Sequence, residues 1–171
     1  TYAAITLAEA KQLTASNAWF SLEAASSPHE GGTGPATGIC YFRSQVAMHD
    51  IVDGTANTYL LGEKYVNSDC YETGWDRGDN EALMAGFDND NHRTTYYPYP
   101  TPSTPPTPTH TPLQDIPGVE NMARFGSAHA GSLNMAFCDG SVQAINYSIA
   151  PEIHRRLGNR KDGLVIDAKM F

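Results

Sequence analysis

The chain has 171 residues, enough for one domain with a single buried core. Its 19 acidic residues against 11 basic ones give a net charge of -8, which argues against nucleic acid, because phosphate contacts need clustered Lys and Arg. No apolar run approaches the roughly 18 residues that a membrane-spanning helix requires.

In chain order, residues 6–18 read as a short helix. Thr6 to Glu9 form a capping box, and Leu7, Ala10 and Leu13 keep one small apolar face. The stretch 26–38 is a Gly/Pro/Ser loop. Strands are predicted near 39–43 and 57–66, with a turn at Asp53-Gly54 and a single helical turn that Asp50 could cap. Residues 67–93 carry seven carboxylates, among them Asp69 and Glu72. The segment 96–112 is Pro/Thr-rich and reads as an insertion in a surface loop, with its threonines open to O-glycosylation in a secreted protein. The C-terminal third predicts a hairpin over 133–147, a helix over 148–160 and a short strand over 163–167. The sum is one α+β domain over 1–171, an antiparallel β-sheet with few short helices and long loops.

The hairpin carries a specific expectation. Asp139-Gly140 between alternating runs predicts a two-residue type I′ turn, pairing Phe137 with Val142 and Met135 with Ala144. Leu133, Met135, Phe137, Val142 and Ala144 would then share the core face. The strand between His129 and Asp139 spans roughly 17 Å at about 3.3 Å per residue, which separates the two as a catalytic pair. Asp139 would support the turn, while His129 and Gly131 would shape the entry loop through backbone hydrogen bonds.

Other constellations were weighed against plainer readings. Asp76, Asp79, Asn80, Glu81, Asp88 and Asp90 offer the hard oxygen ligands that calcium takes, although no stretch fits an EF-hand loop. The plainer reading is a solvated acidic loop. The six histidines lack zinc spacing. Ser127 and His129 lie in no nucleophile elbow, so a hydrolase ranks third among the readings. Glu63 alternates with Leu61 and Tyr65 and is expected to face the core with Arg124 or Arg43 as partner. Trp75, Tyr96, Tyr97 and Tyr99 could form an aromatic, glycan-binding surface. Cys40, Cys70 and Cys138 allow one disulfide with a leftover thiol, or three free thiols.

Three segments carry a family resemblance. "RFGSAHAGSLNMAFCDGSVQAI" (124–145) resembles the H-x9-D-G signature of the PulG-like, type II secretion pseudopilin-related family, with His129, Asp139 and Gly140 in the matching positions. "DIVDGTANTYLLGEKY" (50–65) is similar to that family's second motif, with Asp53, Gly54, Asn57 and Glu63 in place and Ala56 where Ser is common. "DRGDNEALMAGFDNDNHR" (76–93) resembles its acidic segment, and order and spacing agree across 39–166. The resemblance implies a pilin-like fold, export to the cell surface or beyond, and a non-enzymatic role in filament or secretion-type assembly. Partners would be further copies or other pilin-like subunits. Family members start with a prepilin leader and a long apolar helix, and this chain is expected to be their C-terminal portion, touching the membrane only through that helix. The resemblance also raises calcium as a ligand. The alternative is a solute- or glycan-binding module of envelope transport.

Overall fold

The computed structural model describes residues 37–41, 44–82, 84, 90–95, 110–167, 169 and 171. The helix expected over 6–18 and nearly all of the Pro/Thr-rich segment lie outside them, as do Arg43, Asp88, Tyr96, Tyr97 and Tyr99. The architecture is α+β. Strands β1 (Tyr59–Gly62), β4 (Ser132–Phe137) and β5 (Val142–Asn146) form an antiparallel sheet in the order β1-β4-β5. Strands β2 (Leu113–Gln114) and β3 (Gly126–Ser127) form a small parallel pair. Helix α1 (Pro151–Leu157) packs on the larger sheet. Among the described residues, no helix is long and apolar enough to cross a membrane.

The core collects Tyr59, Leu133, Met135, Phe137, Ile145, Ile149, Ile153 and Leu157. Alternation places Leu133, Met135 and Phe137 on one face of β4. Ile153 and Leu157, four residues apart, form the buried stripe of α1. Pro151 starts this helix with its φ already set, and Glu152 in the first turn accepts bonds from Arg155 and Arg156.

The hairpin is where the sequence predicts, but its register differs by one residue. Ala136 pairs with Val142, Asn134 with Ala144 and Leu133 with Ile145. The connection is a three-residue loop: Gly140 N–H donates to Phe137 O at 3.0 Å, and Phe137 N–H donates to Ser141 O at 2.8 Å. Gly140 follows the turn at φ 88°, the left-handed position that closes a type I turn with a bulge. The change exposes Val142 (66%) and Ala144 and buries Ile145 instead. Burying the larger Ile145 removes more apolar surface from water, which favours this register. Asp139 does hold the turn, accepting from the Ser141 N–H at 2.9 Å and its hydroxyl at 2.7 Å. Those two bonds lower its carboxyl below the usual range.

Three other expectations are corrected. The strand over 57–66 is only Tyr59–Gly62, with an extra residue, Leu60, bulging between the Tyr59–Phe137 and Leu61–Ala136 pairs. Residues 163–167 form no strand: Gly163 turns at φ 71°, and the Val165 carbonyl accepts from Arg156 at 3.0 Å. Residues 39–41 likewise carry no strand.

The two sheets meet at Gly126. A Cβ there would stand 2.3 Å from the Leu113 carbonyl oxygen and under 3 Å from the Tyr65 backbone. These are backbone obstacles that no rotamer change relieves. Gly126→Ala is therefore expected to cost about 1–3 kcal/mol through overpacking, read as a lower urea midpoint at unchanged slope. An unchanged midpoint would mean that β2 and β3 are not packed this closely.

Candidate functional site

The residues of the two motifs converge on the β1–β4 region. Asp53 closes one end: its carboxylate accepts from Asp162 N–H at 2.6 Å and Gly163 N–H at 2.9 Å, tying the chain after α1 to this turn. Gly54 turns at φ 95°, and its carbonyl accepts from the Thr58 hydroxyl. Asn57 Nδ2 donates back to Asp53 O at 3.2 Å. The turn then receives the hairpin tip, with Cys138 N–H on Thr58 O and Asp139 N–H on Thr55 O.

The four residues Gly62 to Tyr65 each serve a different neighbour. Gly62 lies under Met135 and Phe125, where a Cβ would come within 2.1 Å of the Met135 sulfur. Glu63 stands where β1 leaves the sheet. Its N–H donates to Asn134 O at 3.3 Å, but its carbonyl turns to accept from Gly126 N–H at 3.0 Å. The Asn134 N–H therefore loses its backbone acceptor, and the Glu63 carboxylate replaces it at 2.6 Å. The side chain completes a ladder that its own backbone abandons. Lys64 reaches the acidic segment, and Tyr65 is fully buried, its hydroxyl donating to Val119 O at 2.8 Å.

Glu63 does not face the core, and Arg43 lies outside the described residues. Its other carboxylate oxygen lies 3.2 Å from His129 Nε2, and the two side chains retain 35% and 60% exposure. The outward direction follows from Leu61, which the bulge leaves 63% exposed on the same face. Burial pushes the Glu63 carboxyl up, and donation from Asn134 and Ser127, with His129 nearby, outweighs it and leaves it lowered. His129 is thus held by its ring as well as its backbone: its N–H donates to Ser127 Oγ at 3.2 Å, and its carbonyl accepts from the Tyr147 hydroxyl at 2.9 Å. Gly131 turns at φ 86° and its carbonyl accepts from Tyr147 N–H.

A family model described as a protein of unknown function, DUF1559, matches residues 6–152. The chain belongs to that family. No curated protein matches it, and no solved structure does.

In this DUF1559 chain the acidic segment is already threaded with cations. Asp76 is buried (1% exposed), and its two oxygens accept from the N–H groups of Asn67 and Gly78, both at 2.7 Å. Lys64 Nζ lies 2.6 Å from Asp79 and donates to Gly78 O and Asp90 O. Asp90 accepts from the Glu81 N–H. Arg93 donates to Gly78 O at 3.1 Å and Tyr65 O at 3.4 Å. Burial lowers the Arg93 guanidinium, offset by Asp76, Asp90 and Asp79. Asn80 and Glu81 are exposed. Among the described residues, no three His, Cys, Asp or Glu side chains are grouped to hold a metal ion. Trp75 is 79% exposed on the same segment.

Sequence reasoning missed Lys64, Asn134 and Tyr65 as partners. Asn134, alone polar between Leu133 and Met135 on the outward face, was the one local signal.

Proposed function

We propose that this DUF1559 domain is a non-enzymatic, exported surface domain of PulG-like, pseudopilin-related type that acts in filament or secretion-type assembly. The observation that carries this reading is the tie between the two motifs. Glu63 and His129, the residues of most catalytic character, are spent on joining β1 to β4 and the entry loop. The same holds for Asp53 and Asp139, which close turns. A motif whose carboxylates hold backbone in place suits a subunit whose shape is its function.

The test uses the intact gene product in its native cells. Protease added outside whole cells should remove the domain, and the protein should sediment with high-molecular-weight assemblies. A protease-protected, non-sedimenting protein would overturn the reading.

In this account the segment around Asp76 is an ion-paired loop whose positive charge comes from Lys64 and Arg93. Millimolar calcium is expected to leave the melting temperature unchanged. A rise on adding calcium, reversed by chelator, would instead establish a calcium site there.

The exposed Trp75 favours a second reading, a solute- or glycan-binding module. It stands near a depression of about 200 Å³ lined by Asp76, Arg77, Glu120, Asn121, Met122 and Ala123. Quenching of Trp fluorescence by an oligosaccharide panel, lost in Trp75→Ala, would support it over assembly.

A further inference from the structure

Residues 146–148 read Asn-Tyr-Ser, the one Asn-x-Ser/Thr triplet in the chain, so an N-linked glycan anywhere on this protein points to one residue. Such a triplet is a glycan acceptor when it lies on an accessible turn of an exported protein. The structure supplies the turn. Asn146 ends β5, and both Asn146 and Ser148 are exposed. The Ile149 N–H donates to Asn146 O at 3.0 Å, closing a tight turn over 146–149. Inside it, Asn146 Oδ1 accepts from the Ser148 N–H at 2.8 Å and from the Ser148 hydroxyl at 2.7 Å. The serine that the triplet requires therefore touches the asparagine it serves. Both bonds fix the carboxamide and stabilise charge on Oδ1 when Nδ2 gives up a proton. Among the described residues nothing bonds to Nδ2 itself. Tyr147 anchors the turn, its N–H on Gly131 O and its hydroxyl on Ser127 O and His129 O. The place on the sheet is a second support. Strand β5 is last in the order β1-β4-β5, and among the described residues no strand pairs with its outer side. Val142 and Ala144 are exposed there, and β5 holds neither charge nor proline. Sheet edges of this kind invite pairing with other chains unless something bulky or charged covers them. A glycan on Asn146 gives that cover.

We propose that Asn146 is an N-glycosylation site, modified by an oligosaccharyltransferase that uses a lipid-diphosphate-linked oligosaccharide as donor. The inference rests on the export reading, because this transfer serves secreted chains. In the step, Asn146 Nδ2 forms a bond to the anomeric carbon of the first sugar. The bond from that carbon to the diphosphate oxygen breaks, and the lipid diphosphate leaves with the electron pair. One Nδ2 proton passes to a base of the transferase, and nothing is oxidised or reduced. Ser148 acts as a positioning residue, through Oδ1.

The test uses the intact gene product in its native cells. Surface protein is labelled on whole cells with a membrane-impermeant biotin reagent and captured. Its peptides are then mapped by mass spectrometry with fragmentation that keeps glycans attached. The expected result is captured protein whose Asn146 peptide carries an oligosaccharide. Ser148→Thr should keep the glycan, whereas Ser148→Ala and Asn146→Gln should lose it while being captured in the same amount as the native protein. Captured protein with a bare Asn146 peptide would overturn the proposal and leave export standing. Absence of captured protein would overturn the export reading and this site with it. A glycan that persists in Ser148→Ala, or one attached only to other residues, would also overturn the proposal.

Discussion

Phe137→Ala is expected to cost about 3–5 kcal/mol, a large part of the stability of a domain this size. Phe137 is fully buried at the end of β4. Its ring meets Tyr59 edge-on at 5.2 Å and stacks on Phe171 at 5.8 Å, so truncation opens a cavity that both strands and the C-terminal residue line. Urea unfolding followed by circular dichroism measures the loss. Phe137→Leu, which fills much of the space, should recover more than half of it. A loss below about 1 kcal/mol for the alanine variant would mean that this end of the sheet is not the core.

The second large effect is a loss of stability in mild acid. His154 lies fully buried in α1 with Nδ1 3.3 Å from the Tyr59 hydroxyl and Phe125 edge-on to its ring. Burial, and then the neighbouring His110, hold it down from 6.5 to about 3. The unfolded chain therefore binds a proton near pH 6.5 that the folded protein refuses until about pH 3. Stability is complete above pH 6.5 and falls as pH drops, by up to about 1.4 kcal/mol per pH unit. Carboxylates contribute separately. Bonding from Arg155, opposed by burial and aided by Arg156, holds Glu152 down to about 2. Its stabilisation is present above pH 4.5 and lost below it, so the window from 6.5 to 4.5 isolates the histidine. Unfolding free energies at pH 7, 6 and 5 should decline in the native protein. The decline should flatten in His154→Phe, whose ring fills the same space without a proton site. An equal decline in both proteins would contradict this assignment.

These sites show what one sequence discloses. The hairpin was visible because Asp139-Gly140 between alternating runs has few other uses. Its register was not, because two- and three-residue loops both place glycine at that point. What separates them is whether Ile145 or the Val142 and Ala144 pair is buried. Ile149 and Leu157, neighbours of Ile145 in the core, come from beyond the hairpin. Period-two reasoning misdirected Glu63 because β1 ends at Gly62 and its bulge at Leu60 shifts the alternation. Its partners His129 and Asn134 lie more than sixty positions away, where only the fold brings them. The acidic segment was open to calcium or to a solvated loop in the sequence, and Lys64, only three positions before it, pairs with Asp79 across a fold that the sequence does not show.

Glu63 acts as a replacement backbone acceptor for Asn134, with the His129 pair secondary. Solvent-exposed ion pairs contribute about 0–1 kcal/mol, whereas a hydrogen bond to a charged acceptor contributes about 1.5–3 kcal/mol, towards the lower end at an exposed strand residue such as Asn134. Urea unfolding of Glu63→Ala, Glu63→Gln and His129→Ala at pH 7 separates the two. Glu63→Ala is expected to be the most destabilised, Glu63→Gln, which keeps an acceptor oxygen, to recover most of the loss, and His129→Ala to stay within about 1 kcal/mol of the native protein. Loss in His129→Ala equal to that in Glu63→Ala, with no recovery in Glu63→Gln, would contradict it.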